Sequence, residues 1–244
     1  EVIALAKVTS EKGGIYTSHL REEGLGLIEG VAEAIQIGKE ANIPIVLTHH
    51  KAIGMPVWGK SVVTLAMVDS ARAQGIDVMI DQYPYTAYHC SLLEIFPFWA
   101  KEGGSTRMLD ILNSAETRQK LAADMTHPSD DWENPMAGLT WDQIKIVGYR
   151  QPKNRSLNGL TAAAMAQVRK LDPLEAIFQV FYEEKGGLGM IVFAMSETDL
   201  TAILKHPYGM VGSDGCSVSP EGPMGKSPVH PRHYGTFPRV LGRY

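Results

Sequence analysis

The sequence predicts an α/β fold built on a parallel sheet, and two observations carry that expectation. Short strand-like runs alternate with segments whose apolar residues recur at helical spacing, a βαβ rhythm joined by short connections. One run, residues 43–48, is apolar without interruption, the signature of a strand covered on both faces. The chain has 244 residues, 44% hydrophobic and 20% charged, which places it among globular proteins with room for one large α/β domain or two small ones.

Residues 15–20 read as a first strand. Residues 26–41 read as a helix, with Leu27, Ile28, Val31, Ala34 and Ile35 on one face and Asn42 ending it. The strand at 43–48 follows, then a helix over 61–73 closed by Gly75, then a strand at 76–80. From residue 83 to 155 the rhythm breaks into a long stretch punctuated by Pro and Gly. It holds one predicted helix near 117–125, a polar loop at 127–132 and a strand at 144–147. This stretch reads as an insertion over the mouth of the sheet. Helices resume at 161–170 and at 173–184, where Pro173 suits a first helical turn. A strand at 190–194, a helix at 197–204 and a strand at 208–212 complete the reading, with 230–239 as a specific loop. The expected organisation is barrel-type βα units over 1–88, insertion and helices over 89–188, and last strands plus substrate loop over 189–244.

Composition excludes several classes. A net charge of −4 and a pI near 6.1 argue against a protein that coats nucleic acid. Cys90 and Cys216 are too few for a disulfide scaffold or a four-thiolate zinc site, and both are expected to be inert. No apolar run is long enough to span a membrane, so no membrane partner is expected. The glycines at 24–26 and 186–189 complete no dinucleotide or phosphate-loop fingerprint, and no Gly-x-Ser-x-Gly elbow anchors a serine hydrolase. The chain starts without Met and ends without polar tapering, so it is expected to be a piece of a longer protein; its compartment is not legible.

The candidate chemistry lies at strand ends. His19 closes one predicted strand, His49 the next, and Asp214 a late one. Functional groups of parallel α/β folds gather at the carboxyl ends of strands. Two imidazoles and a carboxylate at one rim suit a catalytic metal, since neutral imidazole binds zinc and a carboxylate can ligate or take a proton from water. His19 and His49 are 30 positions apart, one βαβ step, so they are expected on neighbouring strands. Each residue alone has a structural reading: a strand-end His can simply pack, and Asp214 can simply form a turn. His50, beside His49, is expected on the other face as a packed or orienting residue. Lys51 could hold a substrate carboxylate or be a solvated lysine. Arg232 suits a bidentate carboxylate contact or a structural clamp. The aromatic run at 81–88 could wall a pocket or pack the insertion.

Five segments carry a resemblance: GIYTSHLREE at 14–23, LTHHKA at 47–52, DQYPY at 81–85, GSDG at 212–215 and HPRHYGTFPRVLG at 230–242. In this order they resemble the N-acyl-D-amino-acid deacylases (D-aminoacylases) of the amidohydrolase superfamily. The resemblance implies a (β/α)8 TIM-like barrel with a metal at its mouth, of which this chain holds roughly the C-terminal half with an inserted α+β segment between late strands. It implies His19 and His49 as ligands of one or two Zn2+ ions, Asp214 as general base and proton shuttle, and Lys51, Tyr83 and Arg232 as holders of the substrate carboxylate. The family's His-x-His and bridging cysteine have no counterpart here, so the rest of the same polypeptide is expected to complete the site. The implied activity is zinc-dependent hydrolysis of the linear amide of a small N-acyl-D-amino acid. The apolar segment at 95–99 leans toward a hydrophobic substrate side chain. A cyclic amidohydrolase of the hydantoinase or dihydroorotase kind, and a catalytically dead half-barrel that only binds, remain the alternatives.

Overall fold

The first element, α1 (Val2–Glu11), was not among the predicted helices. Its apolar residues are mostly exposed, Leu5 and Val8 among them, and only Ala6 is buried, so its sequence carries little amphipathic signal. The next segments follow the expected rhythm: β1 (Tyr16–Ser18), α2 (Leu27–Ala41), β2 (Ile45–Leu47), α3 (Ser61–Ala73) and β3 (Val78–Gln82). Asn42 ends α2 in the left-handed conformation, φ 49° and ψ 53°, and its N–H closes on Gly38 and Lys39 carbonyls. The structure, a computed structural model, describes residues 1–127, 134, 136, 138–222 and 229–244.

After Gln82 the chain builds β4 (Tyr88–Ser91), α4 (Phe98–Lys101), α5 (Gly104–Asn113), α6 (Ala115–Thr126), β5 (Ile144–Val147), α7 (Ala162–Arg169), α8 (Pro173–Glu183) and β6 (Gly189–Val192). It closes with α9 (Glu197–Leu204), β7 (Gly209–Val211) and α10 (Arg232–Arg243). Of α4, α5 and α6, only α6 matches a predicted helix. The signal for α5 was present, since Met108, Ile111 and Leu112 are buried at helical spacing, but two glycines at its start hid it. The specific loop expected at 230–239 is instead largely the start of α10, where Gly235 and Pro238 mask helical propensity. The polar loop predicted at 127–132 lies, beyond His127, outside the described residues.

Two compact units form. The first comprises Glu1–Thr86, Met195–Ser217 and Pro231–Tyr244; the second comprises Ala87–Ala194 and Val218–His230. The first unit holds a four-stranded sheet in the order β1-β2-β3-β7, and every pairing is parallel. The α/β class with a parallel sheet is therefore as expected. The sheet is open, with β1 and β7 at its edges. Register sets Ser18 beside Leu47, Leu47 beside Ile80, and Gln82 beside Val211, so the carboxyl ends of the strands form one rim. Beneath it, Val31, Val68, Val78 and Ile80 are fully buried and join Ile45 and Leu47 in one core. Burying each such side chain contributes about 1.5–3 kcal/mol.

The second unit holds a three-stranded antiparallel sheet, β4-β6-β5. Phe96 packs edge-on against Phe181, ring centroids 5.2 Å apart, at the centre of its helices. The reading of 190–194 as one of the last barrel strands is corrected here: β6 pairs antiparallel with β4 and β5. A short apolar run shows that a strand is buried and says nothing about its direction. The apolar segment at 95–99 is also reassigned in part, because Ile95 and Phe96 are buried in this unit's own packing. Among the described residues, no helix is long and apolar enough to cross a membrane.

Candidate metal centre

The rim of the parallel sheet collects the predicted residues, all in the first unit. His19 directly follows β1. His49 stands two residues beyond β2, in the left-handed region at φ 40°, and Asp214 stands three beyond β7 at φ 46°. Side chains other than Gly are uncommon there, and strain of this kind, about 1–3 kcal/mol per residue, clusters at functional sites. At His49 the strain is held by β3: the His49 N–H donates to Asp81 Oδ1 at 2.7 Å and the His50 N–H to the Asp81 carbonyl at 2.8 Å. Gln82, fully buried, donates from Nε2 to the His50 carbonyl at 2.6 Å. A Cβ at Gly212 would lie 2.8 Å from Asp81 Oδ1, so a side chain there would push on this clasp.

His19 Nδ1 and His49 Nε2 face each other at 3.2 Å. Two imidazole nitrogens on one tetrahedral zinc, each at about 2.0–2.1 Å, sit about 3.3 Å apart, so the pair fits a shared cation. Burial lowers the His19 pKa, helped by Lys51 and His49 and opposed by Glu23 and Asp214, which favours the neutral ring that a metal needs. His50 points away as expected. It is buried, its Nε2 lies 2.8 Å from Thr64 Oγ1, and burial pushes its pKa down to about 4.

The residue that sequence reasoning did not assign is Glu23. It lies inside a quoted motif, four residues after His19, but the pair Glu22 and Glu23 gives no hint of which one is buried. Glu22 accepts the Gly26 N–H at 2.6 Å. Glu23 is 1% exposed and joins His19 and His49 in a cluster whose ligand atoms lie within 4.8 Å of one another. Its Oε1 is 3.3 Å from His49 Nδ1 and 3.6 Å from His19 Nδ1. Burial alone would raise its pKa; the Lys51 charge, the His49 hydrogen bond and His19 outweigh it and hold the carboxyl at about 2.

Lys51 is 3% exposed, and its Nζ donates to both Glu23 oxygens at 2.7 and 2.8 Å. It also lies 2.5 Å from His49 Nδ1. Its charge is thus matched inside the protein. Arg232, the first residue of α10 and 7% exposed, places Nη1 2.7 Å from Asp214 Oδ2. Its guanidinium carbon lies 5.0 Å from the centre of the Tyr83 ring. Tyr83 is fully buried, which pushes its phenol well above the usual range, against the pull of Arg232. Beside it, Gly235 gives room to the Tyr85 hydroxyl, 2.5 Å from where a Cβ would sit. His19, His49, Lys51, Tyr83, Asp214 and Arg232 are therefore brought to one rim. Cys216 is exposed, and its N–H donates to His233 Nδ1 at 2.8 Å; Cys90 lies on β4 in the second unit.

Along all 244 residues the chain is 31% identical to a D-aminoacylase and 32% identical to an N-acyl-D-glutamate deacylase, both of Alcaligenes xylosoxydans xylosoxydans. The chain is a relative of the N-acyl-D-amino-acid deacylases. It spans 39% of the length of these two deacylases. Among solved structures, an N-acyl-D-glutamate deacylase from Bordetella bronchiseptica, complexed with zinc and a phosphonate inhibitor, matches with a TM-score of 0.69 at 30% identity. It covers all of this chain and 40% of that deacylase. A D-aminoacylase with a binuclear metal centre matches with a TM-score of 0.66 at 27% identity, over all of this chain and 40% of its own. No protein-family model matches the chain.

Proposed function

We propose that the polypeptide containing this chain hydrolyses the linear amide bond of N-acyl-D-amino acids, releasing a carboxylate and a D-amino acid, and that its sheet is part of a (β/α)8 barrel. The observation that carries this reading is the meeting of His19, His49 and Asp214 at the carboxyl rim of one parallel sheet, in a chain related over its whole length to such deacylases.

His19 through Nδ1 and His49 through Nε2 would hold zinc. When bound, zinc supplies Lewis acidity, lowering the pKa of water toward about 7 and polarising the amide carbonyl. Asp214 accepts the proton of the attacking water and passes it to the departing nitrogen. Its ion pair with Arg232 fixes the carboxylate's orientation for that transfer. Lys51, Tyr83 and Arg232, the last two in contact with each other, are assigned the carboxylate of the substrate. The remaining ligands come from elsewhere in the polypeptide. The deacylase likeness favours a linear amide over a hydantoin or dihydroorotate ring.

The test is a substrate panel on the full-length polypeptide. N-acetyl-D-amino acids are expected to be turned over, and hydantoins and N-acetyl-L-amino acids are not. Turnover of hydantoins alone would move the activity to the cyclic amidohydrolases. Failure on every substrate despite stoichiometric zinc would support a binding module.

A further inference from the structure

We propose that Arg239 is a positioning residue: it sets the register of α10 against the turn at 83–85 and so fixes where Arg232 presents its guanidinium. The inference rests on the reading of Arg232 as a holder of the substrate carboxylate, and deepens it by naming what holds Arg232 in place.

Three observations carry it. First, α10 meets the segment after β3 through two arginine–tyrosine pairs in series. The Arg232 guanidinium carbon lies 5.0 Å from the centre of the Tyr83 ring. Two helical turns later, on the same face, the Arg239 guanidinium carbon lies 4.9 Å from the centre of the Tyr85 ring. Arg239 also donates from Nε to the Pro84 carbonyl at 2.6 Å. The inner pair is buried and carries the ion pair from Arg232 to Asp214; the outer pair is half-buried. Second, the turn transmits position. The Tyr85 N–H donates to the Tyr83 carbonyl at 2.9 Å across the buried, φ-locked Pro84, so residues 83–85 shift as one piece. Third, α10 is a poor helix by itself. Pro238 lacks the N–H that would bond to the Tyr234 carbonyl, and Gly235 lowers helical propensity nearby. Its buried residues, Arg232 and Thr236, are polar, and its apolar Tyr234, Phe237 and Leu241 are exposed. A helix with weak propensity and little apolar burial takes its position from specific tertiary contacts.

Gly235 shows how close the fit is. A Cβ there would lie 2.5 Å from the Tyr85 hydroxyl but 3.9 Å from Cζ of the same ring. The hydroxyl sits in the notch left by the missing side chain, 3.4 Å from the Pro231 carbonyl. The notch resists sliding along the helix, and Arg239 holds the helix down on the turn.

The experiment compares an N-acetyl-D-amino acid with its carboxamide on the full-length polypeptide. The carboxamide lacks the charge that Arg232 is assigned to hold. The readout is the ratio of kcat/KM for the acid over that for the amide; an arginine that only supports the fold would change both alike. Arg239→Met is expected to lower the ratio about tenfold, mainly through KM for the acid, since displacing a substrate clamp by about 1 Å can lose up to about 10²-fold. In an Arg232→Met background the same change is expected to have no further effect on the ratio. Gly235→Ala favours the helix itself, yet is expected to lower the ratio, and adding Tyr85→Phe is expected to restore it by removing the hydroxyl that the methyl group meets. An unchanged ratio in Arg239→Met overturns the proposal, as does a full further loss in the Arg232→Met background. Should Arg239→Met fold poorly, the Gly235 set decides: an unchanged ratio in Gly235→Ala, or no recovery with Tyr85→Phe, refutes it. If Arg232→Met leaves the ratio intact, the carboxylate reading itself falls and takes this inference with it, an outcome distinct from the Arg239 result.

Discussion

Two buried glutamates, one in each unit, do different things. Glu184 is 6% exposed and accepts the backbone N–H groups of Arg150 and Gln151 and the side-chain amide of Asn154, at 2.7–3.2 Å. Its partners are fixed parts of a turn, and its oxygens are spent on them. Glu23 is more deeply buried, yet its partners are an ammonium and two imidazoles, groups that carry or move protons. Burial does not distinguish the two; what each carboxylate touches does. A buried acid bonded to backbone N–H groups is part of the fold's own hydrogen bonding, whereas one bonded to titratable side chains at a sheet rim marks a candidate site.

That contrast can be broken by mutation. The largest effect is expected at the rim. Asp214→Asn should lower turnover by about 10²–10⁴-fold, the range for losing a general acid–base group, with zinc content by elemental analysis unchanged. Retained turnover would remove Asp214 from the chemistry. Glu184→Ala should act in the opposite sense, costing about 2–4 kcal/mol of stability by stranding buried donors while zinc stoichiometry stays the same. Urea unfolding measures the first and elemental analysis the second; a loss of zinc there would erase the distinction between the two acids.

A smaller effect is expected at Gly212. A methyl group there crowds Asp81 Oδ1, the atom that holds the His49 backbone, so Gly212→Ala should cost about 1 kcal/mol. It should weaken zinc in the same variant, whereas a stability loss without any change in zinc affinity would show the clasp to be dispensable. The smallest concerns acid. Asp199 accepts from the Gly59 N–H at 2.8 Å, the Ser61 N–H at 3.2 Å and the Ser196 hydroxyl. Desolvation would raise its pKa, but these bonds outweigh it and hold the group below the usual aspartate range. A depressed carboxylate contributes stability that is present above its ordinary pKa and lost as pH falls through the lowered one. Stability measured across the acid range should therefore fall less steeply in Asp199→Asn than in the wild type; an identical slope would contradict this.

Much of this rim was legible because strand ends are marked by composition. An apolar run that stops at a His, as at His49, signals both the strand and its functional end. His50 was also legible, since alternation alone sends it to the other face. The direction of β6 was not, because period-free apolar runs look alike in parallel and antiparallel sheets. The helix α10 was hidden by Pro238 and two glycines, although it positions Arg232 beside Asp214. Glu23 was hidden for a different reason: nothing local separates it from Glu22, and only the return of the chain through Lys51 and Ile53 encloses it.

The most direct test of the central claim is anomalous diffraction at the zinc edge on crystals of the full-length polypeptide. The account predicts a zinc peak bonded to both His19 Nδ1 and His49 Nε2 at about 2.0–2.1 Å. Zinc bound away from these two rings, or to one of them alone, would contradict it.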